Sequence, residues 1–95
     1  MKEFHTILVV DDDKSIVELL QDFLENEGFR VKTAYDTTQA LAVFQQEHIH
    51  GIVLDIMMPG QNGFEFCRQI RSESNVPLLF LSARSDDVDK IRGKR

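Results

Sequence analysis

Four short apolar runs, separated by segments whose apolar residues return every three or four positions, confine this chain to a narrow set of folds. The first run, Ile7-Leu8-Val9-Val10, is continuous and rich in β-branched residues, as expected of a strand covered on both faces. Ile16, Leu19, Leu20, Phe23 and Leu24 follow at i, i+3, i+4, i+7 and i+8, so a helix would gather these five side chains on one face. Ser15 and Glu18 have capping-box spacing, with a helix start one or two residues earlier also open. Gly28 supplies the left-handed residue that commonly ends a helix.

Phe29, Val31, Thr33 and Tyr35 alternate with Arg30, Lys32 and Ala34, predicting a second strand nearer a sheet edge. Asp36 or Thr37 is placed to cap a second helix with Ala40, Leu41 and Phe44 inward. Residues 51–56 read as a third strand, ending in a loop punctuated by Pro59, Gly60 and Gly63. Phe66, Cys67 and Ile70 mark the inner face of a third helix. Val76 to Leu81 form a fourth strand, where Pro77 is tolerable near the start because it need not donate there. Asp86 or Asp87 would open a fourth helix with Val88 and Ile91 inward. Strand and helix alternating in this way predict βαβ units with right-handed crossovers, and a parallel sheet between two helix layers.

A length of 95 residues suits one domain, and 42% hydrophobic with 28% charged residues suits a folded rather than a disordered chain. A single cysteine, Cys67, excludes an internal disulfide framework and fits a reducing, cytoplasmic setting. No apolar stretch approaches a membrane span, no apolar leader follows Lys2, and no membrane partner is expected. With 16 acidic against 11 basic side chains the net charge is −5, which argues against nonspecific nucleic-acid binding.

In open parallel sheets, ligands bind beyond the carboxyl ends of the strands, where the strand order reverses. The residues at those ends are Asp11-Asp12-Asp13, Asp55 and Ser82. Carboxylates crowded together repel unless a cation neutralises them, and a hard divalent ion with oxygen ligands, Mg²⁺ above all, does so. With such an ion present, a phosphoryl group becomes the natural substrate and a carboxylate a competent nucleophile. Asp55, at the end of a buried strand, is the best placed.

These residues carry a resemblance. Ile7-Leu8-Val9-Val10-Asp11-Asp12-Asp13, then Leu54-Asp55-Ile56-Met57-Met58-Pro59-Gly60, then Leu81-Ser82-Ala83-Arg84 resemble the receiver domains of bacterial two-component response regulators. The run from Ser82 through Asp89, Ile91 and Gly93 looks most like the OmpR/PhoB-type transcription-factor branch. The resemblance implies a flavodoxin-like, CheY-like α/β fold, a three-layer parallel sheet of strand order 2-1-3-4-5. It makes Asp55 the phosphoacceptor, and Asp11, Asp12, Asp55 and the backbone carbonyl of Met57 the Mg²⁺ ligands. Ser82 becomes the switch hydroxyl, Pro59-Gly60 shapes the neighbouring loop and Ala83 leaves room beside it. The phosphoryl group would come from a sensor histidine kinase, and the output would be transcription regulation through a DNA-binding effector domain.

Against that pattern, residues 1–95 read as a receiver shortened at its C-terminus, about four βα units of a five-unit fold. The fifth strand, the lysine after it, the fifth helix and the effector domain have no counterpart here; Lys14, Lys90 and Lys94 stand at other positions. Phosphorylation is therefore expected to be impaired. The fourth strand would be left as an apolar edge inviting a homodimer or a domain-swapped oligomer.

Other readings compete residue by residue. Asp13 suits a helix cap. Asp11-x-Asp13-x-Ser15 resembles the first motif of haloacid-dehalogenase-type phosphatases, with Asp11 as nucleophile, Asp13 as acid/base and Ser82 as a phosphate contact. That reading leaves residues 55–60 unexplained. A noncatalytic, self-associating interaction module is the third possibility. His48 and His50 suit a turn rather than a metal site, His5 the surface, and Cys67 a small core filler. Lys90, Arg92, Lys94 and Arg95 suit a solvated helix face.

Overall fold

A computed structural model describes residues 5–55, 58 and 62–81 of the chain. Its elements run β1 (Thr6–Val10), α1 (Lys14–Asn26), β2 (Arg30–Ala34), α2 (Thr37–Gln46), β3 (Gly51–Asp55), α3 (Gly63–Glu73) and β4 (Leu78–Leu81). The proposed fourth helix at Asp86 or Asp87 lies outside the described residues.

All strand pairings are parallel and the order is β2-β1-β3-β4. This is the parallel α/β arrangement expected from the alternation, in the CheY-like, flavodoxin-like order that the resemblance implies, with β1 and β3 central and the order reversing between them. Strands buried on both faces read as unbroken apolar runs, and every residue of β3 is buried. Leu8, Val10, Ile52 and Leu54 face one layer, where they pack with Ala40 of α2 and Phe66 and Ile70 of α3. Val9 and Val53 face the other layer, against Val17 of α1. Met58 closes onto the first of these cores.

Helix α1 corrects the periodicity reading. Its inward residues are Val17, Leu20 and Leu24, whereas Leu19 and Phe23 are 66% and 58% exposed. The apolar arc of this helix is wider than the single sheet face it covers, and spacing alone does not say which edge of the arc is inside. The cap also shifts: Asp13, not Ser15, is the N-cap, its carboxylate accepting from the N–H groups of Ser15 and Ile16.

At the other end the chain leaves α1 through a complete Schellman turn. Gly28 takes φ +98°, its N–H donates to Glu25 O at 3.0 Å, and Phe29 N–H donates to Leu24 O at 3.1 Å. Asp36 caps α2 through Gln39 N–H, and Asn62 caps α3 through Glu65 N–H. The fourth strand begins at Leu78 rather than Val76, since Pro77 has no N–H to give the ladder. Among the described strands β4 is an edge, and its Leu79 and Phe80 are exposed. The opposite edge, β2, shows Arg30 and Lys32 to solvent, charges that discourage edge-to-edge pairing.

Candidate functional site

Val10 lies opposite Leu54 in the β1–β3 register, so one step further brings Asp11 beside Asp55. The Asp11 N–H continues the strand by donating to Ala34 O at 3.2 Å. Two sheet-central strands thus deliver their carboxylates to the carboxyl edge at the point where strand order reverses, the position expected for a ligand site. Asp12, next along the chain, adds an exposed carboxylate. Ligand oxygens of Asp11, Asp12 and Asp55 all lie within 4.8 Å of one another.

Asp11 and Asp55 are only 4% and 5% exposed. Burial is the main reason that the Asp11 carboxyl is pushed up to about 6. The N–H of Asp13, donating to Asp11 Oδ1 at 3.0 Å, works in the opposite direction. The negative charge of Asp55 and the hydrogen bond and charge of Asp12 push it further up. A donor set of oxygen ligands alone, two of them buried side by side and carrying like charge, fits a hard divalent cation such as Mg²⁺.

Asp13 stands apart from this cluster in function. Its carboxylate is committed to the first turn of α1, so it does not serve as the acid/base that the phosphatase reading requires. Lys14 extends away to lie over the Tyr35 ring at 5.8 Å from its centroid. Ser82 and Met57 lie outside the described residues. Cys67 packs against the core beside Phe66, and burial raises its thiol above the ordinary value, consistent with a small apolar filler.

No local sequence pattern shows that His5 joins His48 and His50. Taken one at a time, His5 suits the surface and His48 and His50 a turn, whereas their rings meet at the amino edge of the sheet. The signal was available in the topology, because the start of β1 and the start of β3 are neighbours in any sheet of this order.

Comparison with known proteins supports the geometry. Residues 7–95 match the family model described as the response regulator receiver domain. The chain is 47% identical over 87 residues to the regulatory protein VanRc of Enterococcus gallinarum, covering 92% of this chain and 38% of that protein. It therefore spans under two fifths of the length of such relatives. Among solved structures it resembles the chemotaxis response regulator CheY4 of Vibrio cholerae, with TM-score 0.80 and 34% identity over 97% of this chain and 79% of that one. It also resembles the response regulator TrrA of Thermotoga maritima in complex with Mg²⁺–BeF, with TM-score 0.74 and 27% identity over 96% of this chain and 98% of that one. TrrA has also been solved in complex with the histidine kinase ThkA, where the likeness is 27% identity and TM-score 0.73 over 96% of this chain and 97% of that one.

Proposed function

The chain belongs to the response regulator receiver domain family, and from that premise we propose that Asp55 is the residue that takes up the phosphoryl group. The observation carrying this reading is the juxtaposition of buried Asp55 with Asp11 and Asp12, from two adjacent strand ends, within 4.8 Å. Asp55 is held by a strand buried along its whole length, so its carboxylate is aimed at an incoming donor with little freedom to turn away. One Asp55 oxygen attacks phosphorus, the bond from phosphorus to the donor breaks, and the leaving group departs with that electron pair.

Asp11, Asp12 and Asp55, with the Met57 carbonyl, would hold Mg²⁺. Such an ion shields the charge of the phosphoryl oxygens as the carboxylate approaches. Ser82, the residue after β4 in sequence, would offer its hydroxyl to the transferred group. Since TrrA has been solved with a histidine kinase, a partner of that class is proposed as the phosphoryl donor here. A transcription-regulating output is proposed from the longer relatives, VanRc among them. Among the described residues no helix is long and apolar enough to cross a membrane, and a cytoplasmic setting is proposed with the rest. Among the described strands β4 is an edge with Leu79 and Phe80 exposed, and self-association of this chain through it is proposed as well.

The test is the intact mass after incubation with Mg²⁺ and acetyl phosphate, beside an Asp55→Asn variant. A phosphoryl adduct on the parent and none on the variant is the expected result. An adduct that persists in Asp55→Asn and vanishes in Asp11→Asn would hand the chemistry to Asp11, as the phosphatase reading has it.

A further inference from the structure

Three histidines unused by the phosphoacceptor reading meet at the opposite end of the sheet. His5 precedes β1, and His48 and His50 lie between α2 and β3. The His50 ring stacks on His48, centroids 4.6 Å apart and planes 14° from parallel, and meets His5 edge-on at 4.8 Å and 70°. His50 is also joined to Thr6 at two points. Its main-chain N–H donates to Thr6 O at 2.8 Å, and its Nδ1 accepts from Thr6 N–H at 2.9 Å. The imidazole thus gives Thr6 the acceptor that a neighbouring strand would give, just before the β1–β3 ladder begins at Ile7 and Gly51.

One protonation state supports this clasp. Neutral imidazole with the proton on Nε2 leaves a lone pair on Nδ1, whereas imidazolium carries a donor at both nitrogens. Thr6 is buried, so losing that acceptor strands its N–H where water replaces it poorly. A charge on His50 would also lie against the rings of His5 and His48. A chelate is the less favoured reading, because Nδ1 of His50 is already engaged and His48 lies flat on its ring. The described residues whose ligand atoms do converge are Asp11, Asp12 and Asp55.

Charged side chains also stand on the described elements around the cluster. Arg30 lies in register with Thr6 on β2. Lys32 of β2 pairs with Glu47 at the end of α2 at 3.8 Å. Arg71 of α3 turns its guanidinium to the carbonyls of Ser74 and Val76.

We infer that the His5–His48–His50 cluster is a proton-sensitive latch on the start of the β1–β3 pairing, closed while His50 is neutral and released when it is protonated. Acidification then loosens the amino end of β3, the strand whose carboxyl end carries Asp55. This inference stands independently of the phosphoacceptor reading.

Imidazole ¹⁵N spectra of the 95-residue chain, with amide hydrogen exchange at Thr6, test it between about pH 7.5 and about pH 5.5. At the higher pH, His50 Nδ1 should be unprotonated. As His50 titrates, the Thr6 protection factor, corrected for intrinsic exchange, should fall roughly tenfold. In His50→Gln the side-chain carbonyl can still accept from Thr6 and does not titrate, so protection should stay flat. Asp11 titrates in the same window, and an Asp11→Asn chain should keep the Thr6 response. A protonated Nδ1 at the higher pH overturns the inference from the parent spectrum alone. Equal loss of protection in the parent and in His50→Gln overturns it as well.

Discussion

The N–H of Asp13 donates to Oδ1 of Asp11 at 3.0 Å while the Asp13 carboxylate closes the first turn of α1. One residue therefore couples the cap of a helix to the orientation of a buried carboxylate. A capping side chain fixes the backbone of its own residue, and here that backbone supplies the hydrogen bond that keeps Asp11 turned toward Asp55.

Asp13→Ala should lower stability by about 1 kcal/mol, the usual worth of an N-cap. It should also weaken Mg²⁺ binding, because the β1–α1 turn is no longer pinned. Asp13→Asn and Asp13→Ser, which also cap, should retain most of both. Urea denaturation and Mg²⁺ calorimetry on the three variants give the comparison, and Asp36→Ala in α2 controls for cap loss remote from the site.

Acidity separates the metal-free chain from the loaded one. Asp11 has its carboxyl raised from 3.8 to about 6, with burial as the main cause. A carboxyl raised on folding favours the folded state below its unfolded value, and that advantage is lost as pH rises through about 6. Without Mg²⁺, this group should make the chain less stable at neutral pH than near pH 4. Mg²⁺ binding needs the ionised form, so affinity should fall as pH drops below about 6, and the stabilisation by Mg²⁺ with it. Thermal melts with and without Mg²⁺ across that range would show the two trends crossing.

Burial predicts a sharp contrast between residues that look alike in sequence. Ile70, fully buried between α3 and the sheet, should cost about 2–5 kcal/mol as Ile70→Ala. Leu19→Ala, on the exposed side of α1, should change stability by about 0.5 kcal/mol or less. Chemical denaturation midpoints decide it.

Gly28→Ala should destabilise by roughly 1–2 kcal/mol, since a Cβ is disfavoured in the left-handed region. The cause is backbone conformation alone: with φ +98°, a Cβ there would meet no atom within 4 Å. Equal unfolding midpoints for parent and variant would refute this.

Much of this was legible beforehand, for identifiable reasons. The buried runs at Ile7 and Ile52 and the alternation from Phe29 to Tyr35 announce central and edge strands because sheet burial writes itself directly into side-chain choice. Asp11, Asp12 and Asp55 could be brought together from strand order alone, which puts the ends of β1 and β3 side by side. What escaped was set by tertiary context. Leu19 and Phe23 fit the helical period, yet Val17 is what reaches Val9 and Val53. Ser15 fits a cap, yet Asp13 lies one residue before the helix and takes the bond. His5 has no local pattern at all; its partners become visible only when the strand starts are aligned.

The pairing of β1 with β3 also fixes when in folding the acidic cluster can come into being. Asp11 and Asp55 belong to strands that are neighbours in space but not in sequence, with β2 and two helices formed between them. A chain that has assembled only β1, α1 and β2 owns Asp11 and Asp12 but not the strand that brings Asp55. Long-range parallel contacts of this kind are slow to form, because loop closure precedes any gain from the pairing. Cation capture should therefore lag behind helix formation in refolding, and a metal-sensitive signal would time the closure of the β1–β3 crossover.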